Sequence, residues 1–349
     1  MSKHEKSLPG PKDYPILPPD MDYIYFENAE AFPFEPEKIE FSLHNAWWLS
    51  ECAFLVYNHP GFARMAFKLA GFEGFRFFQG TGTECMAAWN DDAAVVVFRG
   101  TEMKSLSALH EVRTDLNTIP VPFEQGGKVH RGFLLGLGEV WDGEEGLNAF
   151  LNQMISESPE RPVWMTGHSL GGALASLCFA RTPAAAGLYL YGAPRVGDQE
   201  FVDLTAARPV FRIEHARDPI PMVPPDMPAL KFNFKDLGQL VFINREGEIL
   251  PERPQLKLED HRKVIEETLK ERKQRREQLS LTVKKNPFSM KTSRTVLVEM
   301  NDHFHKSRKE WKDYLAGLND EIGLKLEDHM PIYYSMKLWN ALISGNDTP

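Results

Sequence analysis

The sequence has 349 residues, 42% of them hydrophobic, which is enough to bury a large core. Its formal net charge of -9 argues against a general affinity for nucleic acid or anionic membranes, because both are polyanions. The three cysteines, an odd and sparse set, provide no disulfide framework, and no run of about 18 apolar residues indicates a membrane-spanning helix.

The first 39 residues contain many prolines and little periodicity, which is typical of an extended arm. No apolar core or small-residue cleavage site of a secretory signal is visible at their start, so we expect a cytoplasmic protein. Residues 40–349 are predicted to form a single catalytic domain. Within it, residues 252–300 are dense in charged side chains and predict a charged helical insertion.

Apolar residues at helical spacing predict helices over residues 41–57 and near 62–70. Short apolar runs then predict strands at 76–79, 85–90, 93–98, 162–165, 187–191 and 209–215. The run at 93–98 shows no apolar–polar alternation, which favours a central strand covered on both faces. Apolar strands alternating with helical patterns predict an α/β fold with a mostly parallel sheet and helices on both of its faces.

The segment Gly167-His168-Ser169-Leu170-Gly171 lies between a predicted strand and a predicted helix. A serine on a sharp strand-to-helix turn exposes its hydroxyl, and glycines around it avoid Cβ clashes in the strained backbone. The positive end of the helix that follows would face a developing oxyanion. The context on both sides makes the motif more specific than Gly-x-Ser-x-Gly alone, and it predicts Ser169 as a nucleophile.

A nucleophilic serine needs an imidazole to accept its proton and a carboxylate to orient that imidazole. In α/β folds that carry a nucleophilic serine on a strand-to-helix turn, the orienting carboxylate follows the serine along the chain. Asp218 comes just after the predicted strand at 209–215, where ligands gather in α/β sheets. Asp198, which resembles a helix N-cap, and Asp226 are weaker alternatives.

The predicted base is His329, which precedes an apolar helical pattern near the C-terminus and would be held firmly by it. The main alternative is His261, which ends an earlier copy of the same six residues, LKLEDH, and opens the charged segment. His303 and His305 are further alternatives.

Several motifs along the chain occur in an order that resembles the class 3 lipase family, the fungal-type triacylglycerol lipases and their bacterial relatives. They are AVVVFRGTE at 94–102, TDL at 114–116, VHRGF at 129–133, GHSLGGALA at 167–175, YGAPRVGD at 191–198 and DPIP at 218–221. The resemblance implies an α/β-hydrolase fold, and we expect a bacterial-like member. The secretory signal and disulfides of the fungal enzymes are missing. The interval from Asp218 to His329 is longer than in typical fungal members.

The resemblance implies that Ser169, Asp218 and His329 form a catalytic triad and that the backbone N–H groups of Thr101 and Leu170 form the oxyanion hole. It also implies a lid over residues 102–113. The four side chains predicted to be structural are Arg99, His130, His168 and Arg195.

The expected function is hydrolysis of acylglycerols or similar lipid esters through an acyl-enzyme, with no metal or cofactor. The expected partners are the ester substrate and, transiently, a lipid interface. The alternatives are a phospholipase or an acyltransferase on the same triad, and a non-catalytic lipid-binding protein that kept the fold.

Overall fold

A computed structural model of the protein describes residues 23–100, 120–224, 226–227, 232–253 and 326–345. The chain divides into two compact units, and the second consists of Pro225–Asn233 and Pro254–Leu324. Only a short hairpin of the second unit lies within the described residues. The charged insertion predicted at 252–300 therefore falls almost entirely outside them, and the predicted domain boundaries stay predictions.

Twelve strands are described, and they are numbered in chain order: β1 Gly74–Gln79, β2 Glu84–Trp89, β3 Ala94–Phe98, β4 Pro120–Pro122, β5 Lys128–His130, β6 Val163–His168, β7 Gly187–Tyr191, β8 Val210–His215, β9 Asp226–Met227, β10 Phe232–Asn233, β11 Gln239–Ile243 and β12 Ile249–Leu250. Eight of them form the main sheet in the order β1-β2-β3-β6-β7-β8-β11-β12. The five strands from β3 to β11 in that order run parallel to one another, and β1, β2 and β12, towards the two edges of the sheet, are antiparallel to their neighbours.

Seven α-helices are described: α1 Leu43–Leu55, α2 Pro60–Leu69, α3 Arg131–Trp141, α4 Leu147–Glu157, α5 Leu170–Arg181, α6 Gln199–Asp203 and α7 Pro331–Ser344. Helices α1, α2 and α7 share a hydrophobic core with one face of the main sheet, and α3, α4 and α5 share a second core with the other face. The predicted mostly parallel α/β architecture, an α/β-hydrolase fold, is confirmed.

Strand β3 shows why the run at 93–98 is apolar throughout. Ala94, Val96 and Phe98 belong to the core beneath α3, α4 and α5, whereas Val95 and Val97 belong to the core beneath α1 and α7. All five side chains are buried, so neither face of this strand could carry a polar residue without placing it in a core.

Residues 23–42, which include the described part of the predicted N-terminal arm, pack against helix α1. The buried Glu51 carboxylate accepts hydrogen bonds from the Tyr23 hydroxyl at 2.6 Å and from the Phe26 backbone N–H at 3.0 Å. Ser42 caps the start of the helix by accepting from the Asn45 N–H. The described part of the arm is therefore held by specific polar contacts as well as by apolar packing.

Candidate active site

Ser169 lies on the turn that joins β6 to α5. Its backbone has φ 56° and ψ -130°, a conformation that side chains with a Cβ rarely adopt. The neighbouring strand supports the turn, since the Ser169 N–H donates to the Tyr191 carbonyl at 3.0 Å. The sharp turn holds the serine at the carboxyl end of a central parallel strand, where ligands bind in folds of this kind.

The glycines of this segment allow α5 to approach the sheet closely. A Cβ on Gly171 would lie 2.1 Å from the Phe98 carbonyl oxygen of β3, and one on Gly167 would lie 2.3 Å from the backbone of Gly171. A Cβ on Gly172 would lie 2.6 Å from the Cβ of Ala193. Backbone atoms, and an alanine Cβ fixed to the backbone, cannot move away as a flexible side chain can, so each of these positions requires glycine.

The structure brings the three residues of the predicted triad together in one buried cluster. The His329 Nε2 lies 2.8 Å from the Ser169 Oγ, and the His329 Nδ1 lies 2.7 Å from the Asp218 Oδ2. All three residues are buried. Both distances are within the range of good hydrogen bonds, so a continuous line of bonds runs from hydroxyl to imidazole to carboxylate.

Asp218 follows β8, and its carboxylate is held by nearby backbone and by α7. Its Oδ1 accepts from the Ile220 N–H at 2.8 Å, and its Oδ2 accepts from the Tyr334 hydroxyl at 2.6 Å as well as from His329. Burial and the charge of Asp218 raise the pKa of Tyr334 well above its ordinary value, so the phenol stays a donor. Sequence reasoning missed Tyr334; a signal that could have found it is a polar side chain within the apolar pattern just after the base.

Asp328, next to the predicted base, bonds the segment before His329 to the end of β8. Its backbone carbonyl accepts from the His215 Nδ1 at 2.9 Å, and its Oδ2 accepts from the Arg217 N–H at 3.1 Å. Since β8 leads into Asp218, these bonds join the segment that holds the base to the segment that holds the acid. Sequence reasoning treated Asp328 only as part of a repeated hexapeptide.

The described residues show a different role for one of the alternative acids, Asp198. Asp198 caps α6 by accepting from the Phe201 N–H at 3.1 Å, as its sequence predicts. Asp226 begins β9 in the second unit. His261, His303 and His305 lie outside the described residues.

The predicted oxyanion hole is only half described. Leu170 is the first residue of α5 and directly follows the nucleophile, at the positive end of the helix. Thr101 and the predicted lid at 102–113 lie outside the described residues. Gly100 is in contact with the turn, because a Cβ there would lie 2.8 Å from the His168 carbonyl oxygen. The roles of Leu170 and Thr101 stay predictions.

Gly192, just after β7, lies directly beneath the triad. Its φ is +54°, and a Cβ there would lie 2.6 Å from the Asp218 Oδ2, 2.8 Å from the Tyr334 hydroxyl and 2.9 Å from the His329 Nδ1. A side chain at this position would therefore separate the acid from both of its donors.

We expect Gly192→Ala to lower ester turnover by at least about 10²-fold, since displacing a reacting group by about 1 Å costs that much. Hydrolysis of a short p-nitrophenyl ester measures the loss. Gly138→Ala is the matched control, because a Cβ on this helical glycine would have nothing within 4 Å of it, and the variant should keep full activity. Equal activity in the two variants would show that the space beneath the triad is not needed.

Three other side chains predicted to be structural have structural partners. Arg99 forms an ion pair with Glu84, and Arg195 binds Asp236 and the carbonyl oxygens of Met222 and Pro224. His130 caps α3 by accepting from the Phe133 N–H at 3.3 Å.

His130 should make the stability of the fold depend on pH. Burial lowers the pKa of His130 from 6.5 to about 4, so between these values the unfolded chain binds a proton that the folded chain does not. The free energy of unfolding therefore falls as the pH falls through this window. His130→Asn keeps a good cap and removes the titrating ring, so urea unfolding should show a smaller pH slope between about pH 6.5 and pH 4 than in the original protein. Identical slopes would contradict the prediction.

Three further observations on the described residues concern their cysteines, membrane-spanning helices and metal-binding groups. Cys52, Cys85 and Cys178 are free and buried. In the described ranges, no helix is long and apolar enough to cross a membrane. The same ranges contain no group of three or more His, Cys, Asp or Glu side chains suited to hold a metal ion.

Comparison with known proteins finds matches to the central part of the chain. Residues 95–227 match the family model described as lipase (class 3). A lipase of Rhizomucor miehei is 34% identical over 175 residues, covering 46% of this chain and 45% of that protein. A secreted mono- and diacylglycerol lipase of Fusarium solani is 34% identical over 105 residues, covering 29% and 31%. The chain thus spans about half or less of the length of these relatives.

The solved structures that resemble the chain include a triacylglyceride lipase of Rhizomucor miehei. It is 30% identical, with 51% of this chain and 69% of that chain covered and a TM-score of 0.41.

Two expectations from the sequence are not upheld by these comparisons. The bacterial-like character is unsupported, because the matching relatives are fungal. The expected cytoplasmic location is wrong, because the relatives are fungal lipases and the one from Fusarium solani is named as secreted.

Proposed function

We propose that the chain, whose residues 95–227 match the class 3 lipase model, is a serine carboxylic-ester hydrolase. It cleaves acylglycerols or similar lipid esters. The observation that carries the proposal is the unbroken line of hydrogen bonds from the Ser169 hydroxyl through His329 to Asp218. Such a line is the arrangement that activates a serine hydroxyl for attack on a carbonyl.

In the proposed reaction the Ser169 Oγ attacks the ester carbonyl carbon while the His329 Nε2 accepts the hydroxyl proton. The tetrahedral intermediate collapses, the bond to the alcohol oxygen breaks, and His329 returns its proton to that oxygen. Water then attacks the acyl-enzyme with the same proton transfers and releases the carboxylic acid. Asp218 holds the proton on Nδ1 and stabilises the imidazolium, and Tyr334 in turn holds Asp218.

The proposed oxyanion donors are the backbone N–H groups of Leu170 and Thr101. Leu170 begins α5 directly after the nucleophile, and the positive end of that helix supports stabilisation of the negative charge that develops on the carbonyl oxygen. Each such donor contributes about 3 kcal/mol to stabilisation of the transition state.

The class of substrate rests on the relatives. The proteins similar to this chain are named as lipases, one of them as a mono- and diacylglycerol lipase. We therefore include acylglycerols among the substrates, transient contact with a lipid interface, and an extracellular location in the proposal.

The test combines substrate rates with active-site labelling. The protein should hydrolyse p-nitrophenyl esters, and a fluorophosphonate should attach to one residue, Ser169, as located by peptide mass spectrometry. Rates on esters of increasing chain length, measured in solution and as an emulsion, define the acyl preference and any dependence on an interface. Product analysis with added alcohol separates hydrolysis from acyl transfer, and phospholipid vesicles test the phospholipase alternative. Absence of both hydrolysis and labelling would leave the non-catalytic alternative.

A further inference from the structure

The side chain that precedes the nucleophile, His168, is 1% exposed, and both of its ring nitrogens have partners. Its Nε2 lies 2.6 Å from the backbone carbonyl oxygen of His329, and its Nδ1 lies 2.9 Å from the Tyr57 hydroxyl. The rings of His168 and His329 are 4.5 Å apart. The residue next to the nucleophile thus holds the main chain of the proposed base, although 161 positions separate the two.

The chemistry of the partners assigns a single tautomer to His168. A carbonyl oxygen only accepts, so the hydrogen is on Nε2, and Nδ1 then accepts from the Tyr57 hydroxyl. Burial, together with the neighbouring His329, lowers the pKa of His168 and keeps the ring neutral. Burial likewise raises the pKa of Tyr57, which keeps its hydroxyl protonated.

The phenol oxygen of Tyr57 also lies against the end of β3, because a Cβ on Gly100 would lie 2.2 Å from it. Hydrogen bonds run in one direction from Tyr57 through His168 to the carbonyl of His329. They join the ends of α1 and β6 to the short 3₁₀ turn Leu326–His329 that carries the proposed base.

We propose that Tyr57 and His168 are positioning residues that set the distance between the His329 imidazole and the Ser169 hydroxyl. The inference rests on the proposed function. Asp218 fixes the rotation of the imidazole ring, whereas the bond from His168 fixes the backbone from which that ring projects. A 3₁₀ turn has poorer hydrogen-bond geometry than an α-helix. The hydrogen bond from the His168 ring to the His329 carbonyl therefore helps to hold the last residue of the turn in place.

The variants separate the loss of the hydrogen bond between His168 and the His329 carbonyl from a general loss of packing. His168→Phe keeps a ring and removes both bonds, and it should lower kcat by about 10- to 100-fold with KM nearly unchanged. His168→Gln places an amide N–H near the position of Nε2 and should recover most of that loss. Tyr57→Phe removes only the hydroxyl and should lower kcat by up to about tenfold.

Matched controls remove comparable groups elsewhere in the same unit. Tyr189→Phe removes a buried hydroxyl that bonds to the backbone of Ser42, and His130→Phe removes a buried imidazole that caps α3. Both should lower the thermal unfolding midpoint while leaving kcat within about twofold.

A readout independent of turnover is the low-field proton NMR resonance of the His329 Nδ1–H shared with Asp218. We expect it in the original protein and in His168→Gln, and expect it to be broadened or lost in His168→Phe. Unchanged kcat and an unchanged resonance in His168→Phe would overturn the proposal. If His168→Phe does not fold, Tyr57→Phe decides by the same two measures, and an unchanged kcat with an unchanged resonance in that variant would overturn the proposal. An original protein that shows the resonance but hydrolyses no ester would refute the proposed function, and the resonance alone would then decide the positioning.

Discussion

Ser169→Ala is expected to lower ester turnover by roughly 10⁶-fold and to abolish fluorophosphonate labelling, with the fold retained. The loss is large because the hydroxyl forms the bond to the substrate and no other side chain can supply it. Alanine should tolerate the site, since it has the same Cβ as serine in the φ 56° backbone and the lost hydroxyl contact is the one to His329. Urea unfolding should therefore be nearly unchanged.

The matched control for this variant is Ser176→Ala on the same helix. Ser176 is buried, and its hydroxyl donates to the Gly172 carbonyl at 2.8 Å, away from the triad. It should keep both turnover and labelling. A Ser169→Ala protein with more than about one hundredth of the original turnover would rule out the proposed nucleophile.

Asp218→Asn is expected to lower turnover by about 10⁴-fold, the loss that the same change causes in a serine-protease triad. An amide nitrogen in place of Oδ2 would donate to the His329 Nδ1. The imidazole would then carry its hydrogen on Nε2 and donate to Ser169, so it could no longer accept the hydroxyl proton. Labelling by fluorophosphonate should slow in proportion to turnover.

Asp198→Asn provides the control for the loss of a carboxylate. Asp198 accepts from the backbone N–H groups of Lys128 at 3.0 Å and Phe201 at 3.1 Å, and an asparagine side-chain oxygen can accept both bonds. This variant should keep turnover and stability. Loss of less than tenfold in Asp218→Asn would assign the role of the acid to another group.

The two proposed pairs of positioning residues act on different atoms of His329. Asp218 and Tyr334 form a bonded pair that acts on the imidazole of His329, whereas Tyr57 and His168 act on its backbone carbonyl. We therefore expect combined variants of His168 and Tyr334 to show non-additive losses of kcat, because residues that share one hydrogen-bonded network couple energetically.

The consecutive residues of the sequence were sufficient to predict the strand, the glycine-bounded turn and the helix around Ser169, as well as the parallel sheet. Each of these depends on local backbone geometry or on periodicity, and both are written in neighbouring residues. The burial of β3 on both faces could be predicted for the same reason.

Only the tertiary structure decided which groups meet at Ser169. His329 is 160 positions away from the serine and 111 from Asp218, and only the order of the strands and the packing of α7 bring them within hydrogen-bond distance. Tyr334 and Gly192 act through contacts with atoms of distant segments, which no local pattern encodes. Polar groups from distant segments meet only where the packed chain returns to the same end of the sheet, and that position depends on the whole tertiary structure.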